Sequence, residues 1–201
     1  MKFRKALFKS VYDRAERSQR KAMAPLRERM VRDLSGHVLE IGCGQGASFP
    51  HYPTLVQVTA TDHSELMLRD ARDAAKDAQD RILVEYADVQ RLPYDDESFN
   101  AVVSMLVLCS VTDQARALAE VRRVLKPGGE FRLFEHVRSK RWWAYRLQQA
   151  ARPAFWLLDG ERLDRDTGEA VRRAGFTVDV HEEVENRDLG PLRHILMFAR
   201  R

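Results

Sequence analysis

Three glycines alternate along Val38-Leu39-Glu40-Ile41-Gly42-Cys43-Gly44-Gln45-Gly46, directly behind a short apolar run that closes on an acid. A buried strand feeding a tight turn has this composition, because missing side chains let a ligand lie against bare backbone N–H groups. Sixteen residues past Gly46 stands Asp62, at the end of the run Thr59-Ala60-Thr61 and followed by His63. A carboxylate there can grip a ribose diol bidentately, with His63 contacting the ligand by backbone only. A third candidate strand ends Tyr86-Ala87-Asp88-Val89. Asp88 offers an acceptor for an adenine amino group, and the N–H groups of Ala87 and Val89 suit ring nitrogens. A fourth ends Leu106-Val107-Leu108-Cys109-Ser110, with apolar walls and a small polar tip.

Dinucleotide folds share a glycine turn and a following acid, but they place the third glycine one position later and have no use for Asp88. An acid two residues before the first glycine also repels a pyrophosphate. Glu40 instead suits a ligand that carries positive charge, and a sulfonium nucleoside with an amino-acid tail meets that requirement.

These residues need strand ends gathered at one edge. From Gly36 onward apolar runs and amphipathic segments alternate, with strands expected at 37–41, 56–61, 82–86, 99–106 and 130–135. Helices are expected at 64–78 behind Ser64 and at 113–125 behind Thr112, the latter stopped by Pro127-Gly128-Gly129. Helices near 142–158 and 164–174 follow, then strands near 176–181 and 193–199. The order predicts a doubly wound α/β fold, whose ligands sit beyond the carboxyl ends of the strands. Residues 3–34 read as one or two helices, with a break at Pro25.

At 201 residues the chain suits one domain. The first 34 residues carry eleven Lys/Arg against four acids, which suits a solvated helical face better than a nucleic-acid surface. The tryptophans at 142, 143 and 156 lie elsewhere, so no basic–aromatic stacking platform forms and no nucleic-acid partner is expected. The longest near-apolar run, 101–111, is too short to span a membrane, and no cleavage signal follows the basic start. With only two cysteines, Cys43 and Cys109, a reducing cytoplasm is expected and no metal cluster is. The basic start and Trp142–Leu158 are the segments suited to peripheral membrane contact.

With V-L-E-I-G-C-G-Q-G at 38–46, Asp62, A-D-V-Q-R-L-P-Y-D-D-E-S-F-N at 87–100 and R-V-L-K-P-G-G-E at 123–130, the chain resembles the class I S-adenosylmethionine-dependent methyltransferases. The resemblance implies a Rossmann-like seven-stranded, mostly parallel sheet with an antiparallel last strand and helices on both faces. It implies S-adenosylmethionine as cofactor and S-adenosylhomocysteine as product. By position, Gly42, Cys43, Gly44 and Gly46 would line the methionine moiety and Glu40 would support their turn. Asp62 would take the ribose and Asp88 the adenine amino group. Leu108 and Cys109 would lie beside the cofactor, and Tyr12 would cap it.

V-L-C-S-V (107–111), E-H-V (135–137), Gln148-Gln149, Trp156 with Asp159-Gly160, and R-D-T (165–167) before A-G-F (174–176) look like the alkyl thiol S-methyltransferases of animals and their bacterial relatives. That likeness implies a small apolar acceptor, with a thiol favoured over a lipid amine or a quinone-like ring. A non-catalytic cofactor-binding protein is a further alternative. Residues 1–34 would form a helical cap and 140–174 a helical insertion over the acceptor side of a single domain spanning 1–201. His136, behind the fifth strand, is the candidate general base.

Overall fold

The computed structural model describes residues 21–139, 165–184 and 193–201, with helical positions at 142, 145, 146, 149 and 150. Tyr12, Trp156, the Asp159-Gly160 pair and most of the expected 142–158 helix lie outside the described residues.

Seven strands form one sheet in the order β3-β2-β1-β4-β5-β7-β6. They are β1 (His37–Ile41), β2 (Gln57–Asp62), β3 (Ile82–Tyr86), β4 (Phe99–Met105), β5 (Leu125–Val137), β6 (Thr177–Val184) and β7 (Arg193–Arg200). Neighbours from β3 through β5 pair in parallel, whereas β7 pairs antiparallel with both β5 and β6. Among the described strands the last is therefore the only one reversed, and the chain order turns back between β1 and β4. That reversal opens the crevice at the carboxyl ends of β1, β2 and β4.

Helices cover both faces. Helix α1, described over 21–31, and α2 (Glu65–Ala75) pack on one side through Met23, Met30, Leu68 and Ala71. Helices α3 (Gln114–Val124) and α4 (Thr167–Arg173) pack on the other through Leu118, Val121 and Val171. Several boundaries differ from expectation for local reasons. The cap of α3 is Asp113, whose side chain accepts the Arg116 N–H at 3.0 Å. Asp166 caps α4 in the same way, accepting from Glu169 at 3.2 Å. Ser64 makes no side-chain cap; its own N–H donates to Asp62 instead. Strand β5 begins at Leu125, directly behind α3, and includes the Pro-Gly-Gly expected as a stop. Helix α1 runs through Pro25, which is exposed, because Met23 and Met30 bury on either side of it and outweigh one missing N–H.

Two cationic side chains dock α1 on the sheet. Arg132, buried on β5, donates to Met30 O at 3.2 Å, Asp33 Oδ1 at 2.5 Å and Glu130 Oε2 at 2.6 Å, and lies 4.7 Å over the Phe198 ring. Its guanidinium holds the Asp33 carboxyl below the usual carboxylate range. Arg29 forms an exposed bidentate pair with Glu182 on β6 at 2.7 and 2.6 Å. Burial separates the two in energy. We expect Arg132→Met to cost about 1–3 kcal/mol in urea denaturation, since it takes the donor from the Met30 carbonyl while the exposed Asp33 and Glu130 return to water. Glu182→Gln is expected to cost under about 1 kcal/mol.

Candidate active site

Beyond Ile41 the chain turns through Gly42, Gly44 and Gly46, all with positive φ. Gly42 shows why a side chain is excluded. At its φ of +62° a Cβ would come within 2.4 Å of Val107 Cγ2, on the turn that leaves β4. At Gly46 a Cβ would meet the Phe49 ring at 2.4 Å. The glycine turn and the β4 turn are thus in direct contact.

Asp62 braces the glycine turn from β2. Its Oδ2 accepts the Gly44 N–H at 3.0 Å, its Oδ1 accepts the Ser64 N–H at 2.8 Å, and the Cys43 N–H donates to Thr61 O at 2.8 Å. Each carboxylate oxygen keeps a further lone pair, which is what a ribose diol requires. The His63 ring is exposed, with Nδ1 3.6 Å from Asp62 Oδ1. One strand further out, Ala87 N–H donates to Asp62 O at 3.2 Å, so the end of β3 is tied to the end of β2. Asp88 is exposed there, its Oδ1 accepting from Gln90 N at 2.9 Å and Gln90 Nε2 at 3.1 Å. Ala87 and Val89 are buried. Gln90 Oε1 accepts the Asp113 N–H at 2.7 Å, which links this loop to the cap of α3.

Glu40 is buried beneath the glycine turn. Desolvation pushes its carboxyl up to about 7, while the Ser48 and Tyr52 hydroxyls and the Arg27 guanidinium pull it back. The Ser48 and Tyr52 hydroxyls lie close enough to act on the carboxyl, yet neither Oε2 nor the Tyr52 hydroxyl makes a well-aligned hydrogen bond among the described residues. A buried, under-compensated carboxylate beside a glycine cradle fits a ligand that brings positive charge, as a sulfonium nucleoside does. The folded value lies above the unfolded one, so Glu40 favours folding most below pH 4.5. That contribution is lost as pH rises toward 7. Relative to wild type, ligand-free Glu40→Gln is therefore expected to gain on the order of 3 kcal/mol between pH 4.5 and 7.5. Urea midpoints across that range measure it.

Behind Met105 the chain leaves β4 through Leu106–Ser110. Leu108 and Cys109 are fully buried, and Leu108 packs with the α3-side core. Met105, Leu106 and Val107 are partly exposed. Leu106 has a φ of +59°, a conformation that costs a non-glycine residue about 1–2 kcal/mol. The Cys43 thiol is also buried and is pushed up, first by desolvation and then by Glu40 and Asp62, so it stays protonated.

Glu135, on β5, is the contact sequence reasoning missed. Its buried Oε1 accepts Ser104 Oγ–H and the N–H groups of Val107 and Leu108, each at 2.9 Å, and its Oε2 accepts Cys109 N–H at 3.2 Å. Burial raises its carboxyl, and the same donors draw it back. An acid inside β5, on the same face as Phe131, Leu133 and Val137, was the available signal, because a buried carboxylate requires partners.

His136 points to the α1 side of β5, beside His194 of β7, with ring centroids 4.5 Å apart. Burial, and then the neighbouring imidazole, push its pKa down to about 3. A ring this reluctant to protonate is a weak acceptor for a thiol proton.

Comparison with known proteins matches this geometry. A family described as a methyltransferase domain covers residues 39–133, from β1 into β5. A thiol S-methyltransferase of Rattus norvegicus (TMT1B) is 34% identical over 174 residues, covering 80% of this chain and 71% of that protein. This chain belongs to the class I S-adenosylmethionine-dependent methyltransferases. The human thiol S-methyltransferase TMT1A is 41% identical over 145 residues, 70% of this chain but 59% of that protein, so the match spans well under two thirds of the human relative's length. Among solved structures, an S-adenosylmethionine-dependent methyltransferase from Mesorhizobium loti superposes with a TM-score of 0.68 at 26% identity, covering 90% of this chain and 98% of that one. The [4+2]-cyclase SpnF superposes with a TM-score of 0.71 at 22% identity, over 90% of this chain and 80% of that one. The fold alone therefore leaves the chemistry open. Among the described residues, no helix is long and apolar enough to cross a membrane.

Proposed function

We propose that this methyltransferase methylates the sulfur of a small, apolar thiol. The observation that carries the reading is the Asp62 carboxylate, bonded to the Gly44 N–H with lone pairs to spare, beside the buried Glu40. Thiol S-methyltransferase relatives with 34–41% identity support the choice of acceptor.

In this reading Asp62 holds the ribose hydroxyls and Asp88 the adenine amino group, with Ala87 and Val89 offering backbone N–H groups. Gly42, Cys43, Gly44 and Gly46 supply the surface along the methionine moiety, and Tyr12 closes over it. When bound, the cofactor would supply a methyl carbon activated by positively charged sulfur, so that an acceptor thiolate could bond to it as the carbon–sulfonium bond breaks and S-adenosylhomocysteine leaves, with no acid required. The chain's task is then alignment and exclusion of water. Glu40, ionised beside positive charge, favours the charged ligand over a neutral one. Leu106 and Val107 present apolar surface to the acceptor. The segment 140–174 walls the acceptor side and 1–34 caps the domain.

The thiol proton passes to solvent in this reading, because desolvation and the neighbouring His194 disfavour a protonated His136. His136→Gln is expected to keep the wild-type pH profile, with kcat/KM rising toward the thiol's own pKa near ~8.5. Loss of that alkaline rise in the variant restores the base role.

A panel of alkyl thiols, amines and phenols, read by product mass and S-adenosylhomocysteine release, tests the acceptor. Methyl thioethers alone are expected. Methylated amines or ring carbons as the main products contradict the thiol assignment, and no product from any acceptor favours a binding protein without catalysis.

A further inference from the structure

The turn leaving β4 is held from two sides by opposite charges. Three successive N–H groups, from Val107 to Cys109, converge on the buried Glu135 carboxylate, so a side chain of the same molecule occupies a backbone anion nest. On the other side the Arg165 guanidinium donates to the carbonyl oxygens of Leu108, Val111 (2.5 Å) and Thr112 (3.3 Å). Gln114 adds a bond to Leu108 O at 3.4 Å and one to Thr167 Oγ1 at 3.0 Å. Arg165 is itself anchored. Its carbonyl accepts the Arg138 N–H at 3.0 Å, and Arg138 pairs with Asp166 at 2.9 Å. The Leu108 peptide thus has its N–H on an anion and its C=O on a cation, and both charges stand on elements remote in sequence. The same turn carries Val107 against Gly42 and Leu106 in the left-handed region. A turn in that conformation persists only where its surroundings over-determine it.

We propose that Glu135 and Arg165 are a pair of positioning residues for methyl transfer, fixing the turn 106–112 so that Leu106 and Val107 stand against the glycine turn in the geometry the reaction needs. This rests on the methyltransferase reading above. Neither side chain touches the reacting atoms; both act through the backbone they hold. Misplacing that backbone lowers the rate of the chemical step without removing any group that binds the acceptor.

The test uses the full chain with Arg165→Met, Arg165→Lys and Glu135→Gln. It reads backbone hydrogen exchange at 107–109, S-adenosylhomocysteine affinity by calorimetry, and kcat and KM for a simple alkyl thiol. Arg165 is only partly buried, so its variants remain informative if Glu135→Gln folds poorly. Arg165→Met is expected to speed exchange at 107–109 by about tenfold or more. Its kcat should fall about 10- to 100-fold with the thiol KM within about threefold. Arg165→Lys keeps the charge but loses the planar fork, and should recover part of kcat. Glu135→Gln turns an amide N–H₂ toward the Cys109 N–H or loses that bond, so the exchange increase should be largest at Cys109. Wild-type turnover with unchanged kcat in Arg165→Met overturns the positioning role, as does a loss that merely tracks the fraction unfolded. A wild-type chain that neither binds S-adenosylhomocysteine nor methylates any thiol overturns the functional reading instead.

Discussion

Replacing Asp62 by alanine is expected to weaken S-adenosylhomocysteine binding by at least about 100-fold. Two effects combine. The ribose loses a charged acceptor for both hydroxyls, and charge-assisted hydrogen bonds are worth about 1.5–3 kcal/mol each. The Gly44 and Ser64 N–H groups also lose their common acceptor, so the glycine turn and the start of α2 separate from the end of β2. Asp62→Asn divides these contributions. One amide oxygen can still serve one N–H, and the formal charge is gone, so affinity should fall between wild type and alanine. Titration calorimetry on both variants measures this directly. Alanine binding within about threefold of wild type would remove Asp62 from the site.

Gly42→Ala is expected to lower stability by about 2–5 kcal/mol and to abolish cofactor binding at ordinary concentrations. A left-handed φ costs an alanine about 1–2 kcal/mol. Driving its Cβ to 2.4 Å from Val107 Cγ2 adds an overpacking cost of about 1–3 kcal/mol. Because Val107 is β-branched, its side chain has little freedom to turn aside. The double variant Gly42→Ala/Val107→Ala should relieve the clash and leave the backbone cost, giving a coupling of about 1–2 kcal/mol in a urea-denaturation cycle. Additive costs would show that the two turns do not meet through these atoms.

Much of this architecture could be read in advance. Val38–Ile41, Val58–Thr61 and Ala101–Met105 are, apart from Glu40 and Ser104, apolar or β-branched runs with glycine, aspartate or asparagine at one end, and a strand buried on both faces has that composition. The glycine turn and Asp62 were legible for the same reason: both sit where such a run stops, and the structure joins them through Gly44. The chemistry of the β4 turn was not legible. Leu106–Cys109 alternates too little to show which side chains are buried, and the turn at the left-handed Leu106 buries Leu108 and Cys109 while leaving Leu106 and Val107 partly exposed. Glu135 meets this turn across 26 to 28 residues of chain, a distance over which local patterning carries no information. Buried arginines hid for a related reason. Arg27 occupies the apolar stripe of α1 and Arg132 the inward face of β5, where hydrophobic periodicity predicts aliphatic residues. His136 is the converse case. Its position behind a strand suggests catalysis, whereas its neighbour His194 comes from a strand nearly sixty residues later and, with burial, holds it neutral.

A crystal structure of the chain with S-adenosylhomocysteine tests the central claim most directly. Both ribose hydroxyls are expected on Asp62, the adenine amino group at Asp88 and the amino-acid tail along Gly42–Gly46. Ligand density at any other edge of the sheet, or a ribose out of hydrogen-bonding reach of Asp62, would contradict it.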